Sequence, residues 1–498
     1  MTIRLILTVI WSVTAVAFSA EACTTGCTTL IDLNSCITAG NSYCSLNPTP
    51  AGGGSYYTVS SSNAILLNSA SGMASSVTVD GGGAILISDG STTNGIIQVN
   101  YQCAGCSGLK IQNFQLYNSS SYCTTSLGTT HTPPLLAITH ADILGGRNGS
   151  GTWPSNPLSY TGPYAVEIYN NVFNCGQGGD LQPGAGILAT AGGASYTNDL
   201  YIHGNYFEWS TVEVSGGNAS EPYGTTGCDV VSAYKDSKDI YTPRNIVLTG
   251  NYWYNSGEGS LSISHDRYVQ ITNNSLTDDN WVHQAVVWSD SYPYKQGGTI
   301  YIDQCADTVT LYGNTLSGPA ASTSPSGTTS VCPPGINTGC VSQTNGIEMY
   351  GRNIQIGSSS TSTSNTISNY YLEGVSISNA YNATVYGNTL NNTNQSGYAP
   401  YGSLHVWDLY SVYPSGSSRQ GTSISLISNT ISNTASGSSN TWGITLANGS
   451  SPTPTGISIS GNTVSSGAGY QCYKSPFSGS SSSVSGATSS YSYWSTCP

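Results

Sequence analysis

One phrase recurs along the chain and restricts its fold more than any other feature. Leu200-Tyr-Ile-His-Gly-Asn205-Tyr-Phe returns as Ile246-Val-Leu-Thr-Gly-Asn251-Tyr-Trp and Val269-Gln-Ile-Thr-Asn-Asn274-Ser-Leu. Later copies are Val309-Thr-Leu-Tyr-Gly-Asn314-Thr-Leu, Ala383-Thr-Val-Tyr-Gly-Asn388-Thr-Leu, Ile424-Ser-Leu-Ile-Ser-Asn429-Thr-Ile and Ile457-Ser-Ile-Ser-Gly-Asn462-Thr-Val. Each reads as a short strand with apolar residues at alternate positions, then a small residue, an Asn and another apolar position. Asn251 and Asn274 lie 23 residues apart, and Asn205 and Asn251 lie 46 apart, twice that spacing. Wider gaps then correspond to two turns, or to one turn with a surface loop.

A second short strand sits between copies: Ala165-Val-Glu-Ile, Gly346-Ile-Glu-Met, Gly374-Val-Ser-Ile, Ser403-Leu-His-Val and Gly443-Ile-Thr-Leu. A period near 23 with two or three strands per repeat is the signature of a solenoid, whose repeats bury their apolar faces only by stacking. Asn suits the bend because it tolerates left-handed backbone and hydrogen-bonds locally. In register, these asparagines form an internal amide ladder. A propeller needs blades of roughly 40 residues, and leucine-rich spacing is absent.

The repeat over residues 109–470 resembles the right-handed parallel β-helix of the pectin-lyase-like superfamily. The expected fold is therefore all-β, a single right-handed parallel β-helix (a solenoid) with a disulfide-rich N-terminal cap. Residues 1–22 read as a secretory signal peptide, with Arg4, an apolar stretch from Leu5 to Phe18 and Ala20-Glu21-Ala22 as cleavage site. Residues 23–108 read as the Cys-rich cap and first turns, 109–474 as the β-helix and 475–498 as a Ser-rich tail. All 14 cysteines follow the signal, which suits structural disulfides, including one from Cys472 to Cys497, in a secreted, extracellular protein. No second long apolar run argues for membrane insertion, and a monomer is expected.

Composition narrows the function. Only 7% of residues are charged, against roughly a quarter in a typical domain. The formal net charge is -13, and without a basic stripe nucleic acid is excluded as a partner. A surface clothed in Ser, Thr, Asn, Gly and 35 Tyr suits a polysaccharide ligand, because Trp and Tyr rings offer rigid amphipathic area to sugars. Aligning the second strands places Glu167, Leu188, Asp229, Ser262, Val287, Glu348, Ser376, His405 and Thr445 on one outward face. Two residues on, the same face carries Tyr169, Val231, Ser264, Ser289, Tyr350, Ser378 and Trp407. Six of the ten basic residues beyond the signal lie between Lys235 and Arg352, among many carboxylates. That concentration points to a site.

Two chemistries could use it. β-Elimination on a uronic-acid polymer needs a base and a group that stabilises negative charge; hydrolysis needs two carboxylates at a defined separation. Asp229-Val-Val-Ser-Ala-Tyr-Lys235, followed by Gly259-Ser-Leu-Ser-Ile-Ser-His265-Asp266-Arg267, is similar to chondroitinase-B-like alginate lyases. That resemblance implies Lys235 as base and His265 as the family's His. The family's Arg position falls on Ser264, which leaves Arg267 or His265 for the proton donor. The expected activity is a polysaccharide lyase, with Trp288, Asp290, Glu348, Tyr350, Arg352, His405 and Trp407 binding substrate. A glycoside hydrolase using a carboxylate pair such as Asp229 and Asp266 is the alternative, and a non-catalytic glycan-binding or adhesive β-helix is another. Asp and Asn oxygens make calcium a plausible cofactor, with no ligand set assigned.

Overall fold

The computed structural model describes residues 26–103, 105–118, 133–143, 163–174, 185–190, 198–208, 210–215, 244–254, 259–264, 266–277, 281–283, 298–302, 306–318, 340–342, 345–359, 363–370, 373–378, 380–394, 402–408, 422–432, 442–448, 455–465, 468–473, 478–481 and 484–485. The stretch read as a signal peptide, Asp229, Lys235, His265, Trp288, Asp290 and Cys497 lie outside them.

Three parallel sheets run the length of the described chain. The first has 13 strands, from Tyr43–Ser45 to Ser478–Ser481, and the second has 13, from Tyr57–Val59 to Val484–Ser485. The third has 12, from Ile65–Asn68 to Ala468–Tyr473. One coil visits each sheet in turn: Tyr381–Tyr386 in the first, Thr389–Asn391 in the second, Gly402–Asp408 in the third. An additional antiparallel pair joins Trp281–His283 to Cys340–Ser342.

The corner between first and second sheets explains the repeated phrase. The residue before eight of the nine ladder Asn residues has left-handed backbone: Asn170, Gly204, Gly250, Asn273, Gly313, Gly387, Ser428 and Gly461 have φ between 53° and 68°. Gly adopts this at no steric cost and Asn at little, so the position reads Gly or Asn in most copies. The following Asn points inward and joins a ladder from Asn171 through Asn205, Asn251, Asn274, Asn314, Asn365, Asn388 and Asn429 to Asn462. At each step Nδ2 donates to the next Oδ1 at 2.9–3.1 Å. The amides thereby satisfy corner carbonyls that the sheets leave unpaired, such as Ile168 O and Ile202 O.

Between the sheets, like residues stack on like. Leu200, Ile246, Val269, Val309, Ile354, Ala383 and Ile424 form one inward row of the first sheet. All are buried, and a fully buried aliphatic side chain of this kind contributes about 1.5–3 kcal/mol. Phe173, Phe207 and Trp253 stack in the second sheet, with ring centroids 4.8 and 4.7 Å apart. A one-residue slip would turn every such row to solvent, which fixes the register.

The N-terminal end is closed by a helix, Leu30–Thr38. Thr29 caps it by accepting from Asp32 N at 3.1 Å. Leu30, Leu33, Cys36 and Ile37 bury against the first coil, and Asn34 holds the third sheet by donating to Ala64 O and accepting from Leu66 N. A disulfide joins Cys36 to Cys44, another joins Cys103 to Cys106, and Cys27 is also disulfide-bonded.

Two readings of the sequence need correction. Val166–Tyr169, aligned there with the second strands, belongs to the first sheet, because Asn170 and Asn171 after it form one more corner of the ladder. Strands Ser478–Ser481 and Val484–Ser485 also fall inside the stretch read as a tail. Ser and Gly carry no apolar alternation, yet their backbones extend a parallel ladder as well as any others.

Candidate functional site

The outer face of the third sheet carries one uninterrupted register row. It runs Leu66, Gln98, Ala137, Leu188, Glu213, Ser262, Tyr301, Glu348, Ser376, His405, Thr445 and Gln471. The sequence placed Leu188, Ser262, Glu348, Ser376, His405 and Thr445 on this face. It missed Glu213 and Tyr301, whose strands lack the Gly-Ile start used for alignment. Neighbouring rungs are about 4.8 Å apart, so the row is a ruler along the helix axis.

Its middle was read as an open groove, and there the structure differs. Glu348, Ser376, His405 and Thr445 are all buried, none more than 3% exposed. Tyr350, at the end of the Glu348 strand, donates its hydroxyl to Glu348 Oε1 at 2.6 Å. Tyr301 packs its ring edgewise against Tyr350, with centroids 5.9 Å apart. Thr445 Oγ1 and His405 Nδ1 share a hydrogen bond of 2.8 Å. Trp407 follows in the His405 strand, in register between Ser378 and Ala447.

Two carboxyl groups beside the row hold their protons more tightly than ordinary carboxyls. Burial pushes Glu373 well above the ordinary carboxylate range; its own backbone hydrogen bond opposes the rise, and the negative charge of Glu348 adds to it. Burial does the same to Asp266, with a Ser264 backbone hydrogen bond pulling back and the charge of Glu213 pushing further. Each is a carboxyl of raised proton affinity near a carboxyl group of the row. Environments that push the proton affinities of two carboxyls apart mark acid–base assignments.

Arg267 and Arg352 sit elsewhere, at the start of first-sheet strands on either side of Asp307 in the register. Arg352 Nη2 is 2.8 Å and Arg267 Nε 3.6 Å from Asp307 Oδ2. Asn353 Nδ2 donates to Asp307 Oδ1 at 2.7 Å. This is a mostly buried ion cluster at a coil corner. Gly351 makes that corner at φ +88, where an added Cβ would come 2.6 Å from Ala306 O.

The first sheet also carries a charged and aromatic cluster, of which the sequence singled out Glu167 and Tyr169 but placed them with the second strands. Lys110 Nζ lies 2.9 Å from Glu167 Oε2, and His203 Nε2 lies 2.9 Å from Glu167 Oε1. Tyr169 and Tyr201 stack on the His203 ring with centroids 5.1 and 4.1 Å away. Burial raises the Glu167 proton affinity, but the hydrogen bonds and charges of Lys110 and His203 outweigh it and hold the carboxyl below its ordinary range. Burial, aided by Tyr201, Asp199 and Glu167, pushes Tyr164 up to about 12. Among the described residues no group of three or more His, Cys, Asp or Glu side chains converges as a metal centre requires.

No protein-family model and no curated protein matches the chain. Solved structures do. The A-module of the Azotobacter vinelandii mannuronan C-5 epimerase AlgE6 aligns at 12% identity and a TM-score of 0.38, over 93% of this chain and 94% of that one. The Streptococcus pneumoniae surface protein and adhesin PfbA aligns at 11% and 0.35, over 66% and 85%. The enzymatically active domain of bacteriophage CBA120 tailspike protein 2 aligns at 12% and 0.30, over 87% and 44%. Three stacked parallel sheets, each visited in turn by every coil, make this chain a right-handed parallel β-helix.

Proposed function

We propose that the protein binds a polysaccharide along the outer face of the third sheet and cleaves it at Glu348. The observation that carries this reading is the register row itself, which brings Glu348, His405 and Thr445 together beside Tyr350 and Glu373, whose proton affinity burial raises. Hydrolysis of a glycosidic bond needs a proton donor for the leaving oxygen and a carboxylate for the sugar or the attacking water. Glu373 is the candidate donor and Glu348 the candidate carboxylate. The Tyr350 hydroxyl fixes the orientation of Glu348, while His405 and Thr445 offer polar contacts to sugar hydroxyls. Burial sharpens these interactions by lowering the local dielectric. It also requires an incoming glycan to displace whatever covers the row.

Elimination is the second reading, favoured by the sequence pattern from Asp229 to Arg267. It takes Lys235 as base and His265 or Arg267 as the group that protonates the leaving oxygen. The disulfides Cys36–Cys44 and Cys103–Cys106 fit an exported protein. Among the described residues no helix is long and apolar enough to cross a membrane.

The test is a panel of alginate, pectate, glycosaminoglycan, xylan and glucan, with and without added calcium. Products are read as reducing ends and by the absorbance of unsaturated uronates. New reducing ends without unsaturation support hydrolysis, and unsaturated ends move the reaction to Lys235. Binding without turnover would leave a glycan-binding rod.

A further inference from the structure

A cavity of about 650 Å³ lies over the N-terminal end of the third sheet, well away from Glu348. The first four members of the outer row, Leu66, Gln98, Ala137 and Leu188, line it. Asn68, Asn100 and Thr190 line it from the next outward positions, and Asn34 and Thr38 of the capping helix contribute too. Among the described residues that line it, none is ionisable.

We infer that this cavity is a binding subsite for an uncharged stretch of glycan, on the same face as the proposed cleavage site and several sugar units from it. The inference rests on the polysaccharide reading above and names the class of sugar that reading left open. Three features carry it. The volume falls within the roughly 300–1,000 Å³ of ordinary ligand sites. The lining is striped, with aliphatic Leu66, Ala137 and Leu188 beside amides and hydroxyls. A neutral sugar matches such a stripe, with C–H groups on one face and hydroxyls at its rim. Leu66 is 49% exposed, an apolar side chain offered to the cavity and not to the core.

The lining is also held in place before any ligand arrives. Asn34 is fixed at both ends of its amide by Ala64 and Leu66. Gln98 donates to Gly95 O, and Asn68 accepts from Ala70 N. Pre-ordered side chains lower the entropy lost on binding. Among the described lining residues a charged uronate would meet no cation. An uncharged sugar loses nothing by that. With rungs about 4.8 Å apart, Leu188 is about 19 Å and Leu66 about 34 Å from Glu348 along the row. Only a long chain spans both.

The experiment is calorimetric titration of the full-length protein with neutral xylo- and gluco-oligosaccharides of increasing length and with oligouronates. Titrations are repeated on Asn100→Asp and Leu66→Asp, each a surface change that adds one negative charge to the cavity. Thermal unfolding reports the fold of each variant. The inference expects neutral oligosaccharides to bind more tightly than uronates, and both variants to weaken long neutral chains about tenfold. Neutral binding that both folded variants leave unaltered would overturn it, as would preference for uronates. Because binding is read without turnover, loss of the cleavage reading and loss of this one give different results. A neutral glycan bound but never cut would remove only the former.

Discussion

Asn274 donates a side-chain amide hydrogen to Oδ1 of Asn314 at 3.0 Å, although 40 residues of chain separate them. The same Nδ2 donates to Leu248 O at 3.0 Å, and the Asn274 Oδ1 accepts from both the backbone and the side chain of Asn251. One buried amide thus ties three successive coils. Asn274→Ala leaves a buried carbonyl and two buried donors without these partners, each worth about 1–3 kcal/mol. A destabilisation of about 3 kcal/mol or more is expected, read as a lower denaturant midpoint. A loss no larger than that of an exposed Asn→Ala control would show that the ladder is passive.

Asp307 between Arg267 and Arg352 is the described ion cluster most removed from water. Its carboxyl and the two guanidinium groups are each 15% exposed or less. Asp307→Ala takes one partner from two largely buried cations, a change that costs about 3 kcal/mol in comparable settings. Because the cluster is buried, added salt should recover little of the loss. Urea unfolding at low and high ionic strength checks both statements.

The pH dependence of stability has a definite sign. Glu373 and Asp266 hold their protons more tightly folded than unfolded, because burial disfavours the charged forms. In the unfolded chain they titrate near pH 4, so above that pH the folded state binds more protons and stability falls as pH rises. Asp80 behaves oppositely. Burial raises its proton affinity, but hydrogen bonds from Gly82 N, Asn113, Gln112 and Tyr43 outweigh this. Its contribution is present above about pH 4 and lost as acid protonates it. Asp266→Asn and Glu373→Gln should flatten the decline toward neutral pH, and Asp80→Asn should flatten the acid limb. Thermal midpoints across pH 3–8 for the three variants check each part.

The fold was legible because the corner demands it chemically. Left-handed backbone followed by a buried amide leaves few residue choices, and Gly-Asn repeats wherever both demands meet. Asn171 was harder to see, since Tyr-Asn-Asn replaces Gly-Asn before it. Asn365 was hidden by residues inserted after Gly357, which separate it from its strand and break the phrase, although it lies 23 residues before Asn388. Ser262, Glu348, Ser376, His405 and Thr445 of the outer row could be read from two-residue periodicity. What covers a row cannot, so the burial of Glu348 and His405 was not foreseen. Glu373 stands at a corner outside any strand pattern, and its chemistry comes from burial and from Glu348. The cavity is assembled from residues between Asn34 and Thr190 that the sequence scatters.

The most direct test of the account is the turnover of Glu348→Gln on the polysaccharide that the wild-type protein cuts. The substitution keeps the size of the side chain and an acceptor for the Tyr350 hydroxyl, and removes only the negative charge. The account expects kcat to fall by at least about a hundredfold, the scale on which a positioned acid or base contributes, with the thermal transition retained. A folded Glu348→Gln protein that cleaves at the wild-type rate would contradict it.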